Sequence, residues 1–103
     1  HRPDAAPASH LNAGHALAQL GRPAEAVASY ARASRLAPRW FAEATDPAPV
    51  AAAHVAHAVR LSSEGAAPDA LLPSLRAAHT LQPEDAEIAG ALAKTLRAAS
   101  AST

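Results

Sequence analysis

The residues best suited to chemistry in this chain are its six histidines, because the sequence contains no cysteine. His54 and His57 stand three residues apart, a spacing that places both imidazoles on one face of a helix. His10 aligns with His54 in an internal repeat, so three imidazoles from neighbouring helices could approach one another as zinc ligands do. No carboxylate stands at ligand spacing beside them. We therefore expect these histidines to pack at helix interfaces and expect no bound metal.

The residue types of a hydrolytic triad are present, but their arrangement does not indicate an active site. Serine, histidine and aspartate all occur, yet none stands in the strained turn that holds a nucleophile, and no glycine-rich loop follows a strand. The neighbouring carboxylates Glu84, Asp85 and Glu87 are better explained as charges in the first turn of a helix. We expect no catalytic activity and no cofactor.

Length and composition indicate one small domain with a thin core. Of the 103 residues, 50% are hydrophobic but only 3% are aromatic, and roughly a third are alanine, so helices must approach closely through small side chains. Nine basic and nine acidic residues give no net charge, which argues against a nucleic-acid partner. We find neither a membrane-spanning run nor the layout of a secretion signal, so we expect no membrane insertion and favour a cytoplasmic location. Eight arginines against one lysine indicate the coding bias of a GC-rich bacterium.

One stretch of the chain occurs twice, at an offset of 45 residues. Each copy opens at a proline, carries an apolar residue, an alanine and a leucine at fixed spacing, and closes at a second proline. The matching pairs are Pro23 and Pro68, Tyr30 and Leu75, Ala33 and Ala78, Leu36 and Leu81, and Pro38 and Pro83. Such a repeat predicts stacked pairs of helices, whose usual role is to hold another chain.

Proline, glycine and capping residues predict five helices and no strand. The first follows Asp4 or Ser9 as its N-cap and ends at Gly21. Its predicted apolar residues are Ala13, Ala16, Leu17 and Leu20. The other four are predicted from Pro23 to about Ala37, from Asp46–Pro47 to Gly65, from Pro68 to Leu81 with Pro73 near its first turn, and from Pro83 onward through Ile88, Leu92 and Leu96.

Between about His10 and Pro38 the chain resembles the tetratricopeptide repeat. Gly14 stands for the small residue at which paired helices approach, Leu17 for the following apolar residue, and Gly21 for the turn. The second helix of the repeat supplies Ala26, Tyr30 and Ala33. A second, degenerate copy matches at Ala58, Leu61, Gly65, Leu75, Ala78 and Pro83. It departs from the pattern at Leu71, which replaces a small residue, and in one extra residue before Pro68.

This resemblance implies an all-α fold, a right-handed stack of antiparallel helical hairpins in a tetratricopeptide-like α-solenoid. About two repeats would be followed by a C-terminal capping helix, since a terminal unit needs its apolar face covered. The chain would form one domain over 1–103. Repeat 1 would span about 7–38, an insertion 39–47, repeat 2 about 48–83, and the capping helix 84–99. We expect the insertion to loop out or to add a short turn.

The resemblance further implies a non-catalytic protein–protein interaction module that binds a peptide along its concave face. Spacing places three polar or small stripes on that face: Asn12, His15 and Gln19, then Ala56, Val59 and Ser63, then Glu87, Lys94 and Arg97. The amides of Asn12 and Gln19 could pair with a peptide backbone, and Lys94 and Arg97 could meet a carboxylate. The alternative is an ordinary solvated face. The clamp by which some family members hold a terminal carboxylate is not reproduced.

The insertion offers a second candidate surface. Arg39, Trp40 and Phe41 combine a cation with two of the three aromatic residues, a composition enriched in interface hot spots. The alternative is that one or both rings fill the gap that the insertion leaves in the core. We favour the core role for at least one of them, because small domains rarely expose a large ring.

Two other functions remain compatible with the sequence. The chain could be an accessory subunit docked permanently in a larger complex, or a regulatory segment of a larger enzyme. Two repeats and a cap lie near the lower limit for independent stability, so self-association or assembly with a partner protein would complete the core.

Overall fold

Proline marks the start of five of the six helices described in the computed structural model. The structure describes residues 6–101, and this range contains α-helices but no strand. The helices are α1 Pro7–Gln19, α2 Pro23–Leu36, α3 Pro38–Ala44, α4 Pro47–Ser63, α5 Pro68–Leu81 and α6 Ala86–Ala101. Proline is favourable at the first helical position because its backbone torsion is already helical and its missing N–H has no partner there. The predicted all-α fold class is confirmed for the described range.

The first helix of each sequence repeat ends in the same hydrogen-bonded turn. Gly21 and Gly65 adopt positive φ values of 75° and 86°, a backbone conformation that residues with a Cβ atom rarely adopt. The N–H of Arg22 donates to the carbonyl of Leu17 at 3.0 Å, and the N–H of Ala66 donates to the carbonyl of Leu61 at 3.0 Å. This is a Schellman motif, which satisfies carbonyl groups at the helix end. The predicted ends of these two helices at glycine are confirmed.

The second helix of each repeat also ends in one common way. Ala37 and Gln82 leave the helical region, with φ and ψ of −150° and 78° in the first and −134° and 69° in the second. Each precedes a proline, whose ring disfavours helical torsions in the residue before it. Pro38 and Pro83 therefore end their helices as the repeat predicted. The segments after the two prolines differ, because α3 begins at Pro38 itself, whereas α6 begins only at Ala86.

The core consists of two small clusters that share α4. Sequential packing joins α1 to α2, α2 to α3 and α4, α4 to α5, and α5 to α6. The first cluster comprises the buried residues Leu11, Ala26, Tyr30, Ala33, Val50 and Ala53. The second comprises Ala51, Ala78 and Ile88. Leu81 packs against both clusters, so a single side chain from α5 links the two halves of the core.

Tyr30 is the largest fully buried side chain among the described residues, and its ring lies against Gly14. It retains only 2% of its exposed area. A Cβ atom at Gly14 would stand 2.6 Å from both Cδ1 and Cε1 of that ring, closer than carbon atoms can pack. The absence of a side chain at Gly14 thus lets α1 and α2 close around the tyrosine. The predicted role of Gly14 as the point of close helix approach is confirmed.

The predicted start and apolar face of α1 need correction. Asp4 lies outside the described residues. Ser9 is not an N-cap, because α1 begins at Pro7 after Ala6, and no side chain caps it. Ala13, Ala16 and Leu20 are exposed, whereas Leu11 and Gly14 are buried. In an alanine-rich helix the small residues occur on every face, so alanine spacing did not identify the inward side.

The insertion and the last two helices also differ in detail from expectation. Residues 38–44 form the helix α3, so of the two expected outcomes the structure shows the added turn, extended to two turns. Pro73 lies in the second turn of α5, where its ring nitrogen cannot donate to the carbonyl of Asp69. In α6 the carboxylate of Asp85 accepts from the N–H groups of Glu87 and Ile88 at 2.9 and 3.2 Å, so this residue caps a helix that begins at Ala86.

Replacing Gly14 by alanine should destabilise the protein despite the better helix propensity of alanine. The propensity gain is about 1 kcal/mol, and overpacking against the Tyr30 ring costs about 1–3 kcal/mol. We expect the free energy of unfolding, measured by urea denaturation, to fall by up to about 2 kcal/mol. Gly90→Ala is the matched control because a Cβ at this mid-helix position meets no atom within 4 Å. It should raise that free energy by about 0.5–1 kcal/mol. Equal effects of the two substitutions would contradict the close approach.

Candidate functional site

An open face surrounds α4 on the side away from its main packing partners. α4 packs on α2 and α5, while α1 packs chiefly on α2 and α6 chiefly on α5. This arrangement leaves shallow recesses on both sides of α4. One, of about 660 Å³, lies between α1 and α4, and two, of about 460 and 450 Å³, lie along α6. We call these three recesses together the trough.

The recess between α1 and α4 is mainly apolar. Its wall from α4 is a stripe of mostly small residues at helical spacing that includes Val59 and the longer, exposed Arg60, and Gln19 closes it from α1. Val59 is 63% exposed, a high value for a valine in the middle of a helix. The α4 stripe comprises Pro49, Ala52, Ala53, Ala56 and Ser63 beside Val59. Because most side chains in this wall are small, another chain could approach the α4 backbone closely.

The two recesses between α4 and α6 differ in the charge at their margins. The first is lined by Asp85 and Glu87 at the start of α6 together with Ala56 of α4. The second is lined by Lys94 later in α6 and again by Val59. Val55 and Ala91 line both. The trough along α6 therefore runs from an acidic end to a basic end over an apolar floor.

Six of the residues predicted on the concave face line the trough. These are Gln19, Ala56, Val59, Ser63, Glu87 and Lys94. Asn12 and Arg97 are exposed but do not line these recesses. Sequence reasoning proposed a polar stripe and missed the apolar floor formed by residues such as Ala52, Val55 and Ala91. The spacing of Ala48, Ala52 and Ala56 by four residues is the signal that could have indicated it.

His15 is engaged inside the first helix pair. Its Nδ1 atom lies 2.8 Å from the hydroxyl of Tyr30, and the two rings meet edge to face with centroids 5.4 Å apart. Burial raises the pKa of the Tyr30 hydroxyl, so this group stays protonated at neutral pH and has a proton to donate in this bond. The bond satisfies a buried polar atom, which gives His15 a structural role beside its predicted place on the concave face.

The two aromatic residues of α3 point in different directions. Phe41 packs against the first core cluster and lines a small recess with Val50 and His54. Trp40 keeps 36% of its surface exposed, and Arg39 is exposed on the same short helix. Phe41 therefore fills the gap in the core, as expected for at least one ring, while Trp40 remains accessible.

The histidines form no metal centre within residues 6–101, where no three histidine, aspartate or glutamate side chains gather as a ligand group. His54 is half-buried, and desolvation lowers its pKa, with a further lowering from the charge of His57 one turn away. The Nδ1 atoms of His54 and His79 are buried without a hydrogen-bond partner. His54 is thus held neutral beside the core.

Comparison with known proteins gives no family for this chain. No protein-family model, curated protein or solved structure matches it. The tetratricopeptide resemblance therefore stays a prediction, resting on the residues described above. None of the six described helices combines the length and the hydropathy that crossing a bilayer requires.

Alanine substitutions should separate the roles of Phe41 and Trp40. Phe41→Ala removes a half-buried ring from the core and should lower the free energy of unfolding by about 1–3 kcal/mol. Trp40→Ala removes a ring that keeps 36% of its surface exposed and packs in neither core cluster, so it should cost less, about 1 kcal/mol. Urea denaturation of both variants measures the difference. A larger loss for Trp40→Ala would show that the tryptophan, and not the phenylalanine, supports the core.

Protein stability should fall as the pH drops below about 6.5, in part because of His54. The folded state lowers the pKa of His54, so the unfolded chain binds more protons between that lowered value and the ordinary value. His54→Leu should reduce the fall in melting temperature between about pH 7.5 and pH 5.5, measured by circular dichroism. His57→Gln should reduce it less, because His57 is the smaller cause of the shift. An unchanged pH dependence in His54→Leu would contradict this account.

Proposed function

We propose that this chain is a non-catalytic protein–protein interaction module that binds a peptide segment of a partner protein in the trough. The observation that carries the proposal is the open apolar surface on α4, bordered by α1 and α6 and centred on the exposed Val59. Soluble proteins rarely leave a contiguous apolar groove unoccupied without a binding role. A segment laid across Val59 would remove its exposed surface from water, worth about 1–2 kcal/mol.

A tetratricopeptide-like stack of two helix pairs and a capping helix accounts for this surface. The two repeats share their turn geometry at Gly21 and Gly65, and the matching residues Tyr30 and Leu75 are both buried. The described part of the chain measures 51 × 27 × 22 Å, an elongated shape. In such a stack the first helices of successive units, here α1, α4 and α6, would form the concave side. These features support the stack and the placement of a ligand along it.

The charged margins suggest how the partner segment would be oriented. Asp85 and Glu87 border one end of the α6 side of the trough, and Lys94 borders the other. A segment with apolar residues in its middle, a basic residue near Glu87 and an acidic residue near Lys94 would satisfy both ends. Charges at the rim of an interface contribute more to orientation and association rate than to affinity.

Peptide selection on the immobilised full chain, followed by titration of the selected peptides, tests this function. Val59→Glu places a charge on the apolar floor and should weaken binding by at least about tenfold, since a bound peptide would remove water from that carboxylate. Leu20→Glu is the matched control because Leu20 is 70% exposed and lines none of the recesses. Circular dichroism should show equal helix content in both variants.

The result that would contradict the proposal is selected peptides that bind Val59→Glu as tightly as the unchanged protein. Equal weakening by Val59→Glu and Leu20→Glu would instead favour a permanently docked subunit with a broader interface. That alternative is favoured by the exposure of Leu20 and of Leu36, which is 52% exposed, outside the trough. Light scattering, which measures molecular mass, distinguishes the module from the docked subunit. A self-sufficient module is expected to be a monomer, whereas a docked subunit on its own is expected to self-associate.

A further inference from the structure

We infer that a second surface, on α2 and α3, binds an acidic protein segment that carries a large apolar side chain. The surface consists of Arg32, Arg35, Leu36, Arg39 and Trp40, and we call it the arginine patch. None of these residues lines the trough, so the inference goes beyond the function proposed above and does not depend on it.

Helix geometry directs Arg35 and Arg39 away from the core. In α2 the buried residues Ala26, Tyr30 and Ala33 define the inward side. Arg35 lies two residues after Ala33, which places it about 160° around the helix on the outward side. In α3, Phe41 points into the core, and the same spacing directs Arg39 outward. The single residue Ala37 separates the two helices, so the Cα atoms of Arg35 and Arg39 lie within about 15 Å of each other by chain length alone.

The arginines of this patch have no acidic partner within the described residues. The nearest carboxylate on α2, Glu25, is held by Arg22 through a bidentate pair at 2.7 and 2.9 Å. On α3, Glu43 follows Arg39 by four residues without forming an ion pair to it in the described structure. The patch thus concentrates three positive charges in a chain whose net charge is zero. Guanidinium groups are well suited to bidentate pairing with carboxylates.

The apolar members of the patch indicate what kind of anion fits. Trp40 is 36% exposed and Leu36 is 52% exposed, and each is the sequence neighbour of one of the arginines, Arg39 and Arg35. Tryptophan and arginine are the residue types most enriched among interface hot spots, where an apolar anchor from the partner is surrounded by polar pairs. An acidic segment with a leucine or phenylalanine would pair with the guanidinium groups and cover the exposed indole.

A protein segment fits better than a nucleic acid. Nucleic-acid binders combine a basic patch with a strongly basic domain, because phosphate contacts supply most of their affinity. This chain has a sequence pI near 7.2, so it lacks a long-range positive field. A phosphate backbone would also leave the apolar side chain of Leu36 without a partner. Binding of a nucleic acid or another polyanion to the arginine patch is one outcome of the test below.

The single tryptophan of the chain makes the inference directly measurable. A synthetic glutamate-rich peptide with one central phenylalanine is titrated into the full chain while Trp40 emission is recorded. We expect a saturable blue shift as the indole loses contact with water. Affinity measured by anisotropy of the labelled peptide should fall by at least about tenfold for Arg35→Glu. It should also weaken as salt rises from about 50 to about 300 mM, because screening reduces charge pairing.

Matched variants keep the result interpretable. Arg76→Glu makes the same charge change on the exposed surface of α5 and should leave affinity within about twofold of the unchanged protein. Val59→Glu, which alters the trough, should also leave this affinity unchanged, so failure of one surface is distinguishable from failure of the other. Circular dichroism melts verify that each variant folds.

Three outcomes would overturn the inference. The first is a titration without a saturable change in Trp40 emission. The second is equal weakening by Arg35→Glu and Arg76→Glu, which would show that only net charge matters. The third is tighter binding of heparin or of a short single-stranded RNA than of the peptide, which would assign the patch to phosphate or sulfate polyanions.

Discussion

The contact between the Tyr30 ring and the bare backbone of Gly14 is the interaction on which the rest of this structure depends. The chain has only three aromatic residues, and Tyr30 is the one large side chain that is fully buried in the described range. Alanines on α2 and α4 pack around it, and each of them contributes little area. Because hydrophobic stabilisation scales with buried apolar area, a core of this kind depends on close backbone approach and on a few large residues.

The same small side chains that permit a close core also create the trough. α4 presents Val50 and Ala53 to the first core cluster and Ala51 to the second, so its inward side is fully used. Its remaining side carries Ala52, Ala56 and Val59, which are too short to reach across to α1 or α6. Larger residues there would fill the recesses and join the helices directly. The trough is thus a consequence of alanine on α4.

Local signals in the sequence predicted the ends of the helices well, whereas their faces depended on tertiary contacts. A proline or a positive-φ glycine acts on its own backbone, so Pro23, Gly21 and Gly65 marked boundaries that the structure confirms. The inward side of an alanine-rich helix is chosen by its neighbour, and the spacing of Ala13 and Ala16 could not show it. The aromatic pair in the insertion was ambiguous for the same reason, since only packing against the first cluster distinguishes Phe41 from Trp40.

The width of the trough and the position of the arginine patch are both set by contacts to α2. α1 borders the trough but is held mainly by α2, so any widening beside α4 must displace α1 across the Gly14–Tyr30 contact. α3 contacts the same helix and is held by Phe41, which packs on the cluster that contains Tyr30. A protein interior at crystal-like density resists such displacements. The two surfaces therefore share one rigid support, and a segment that fits the trough must match its existing width with small side chains.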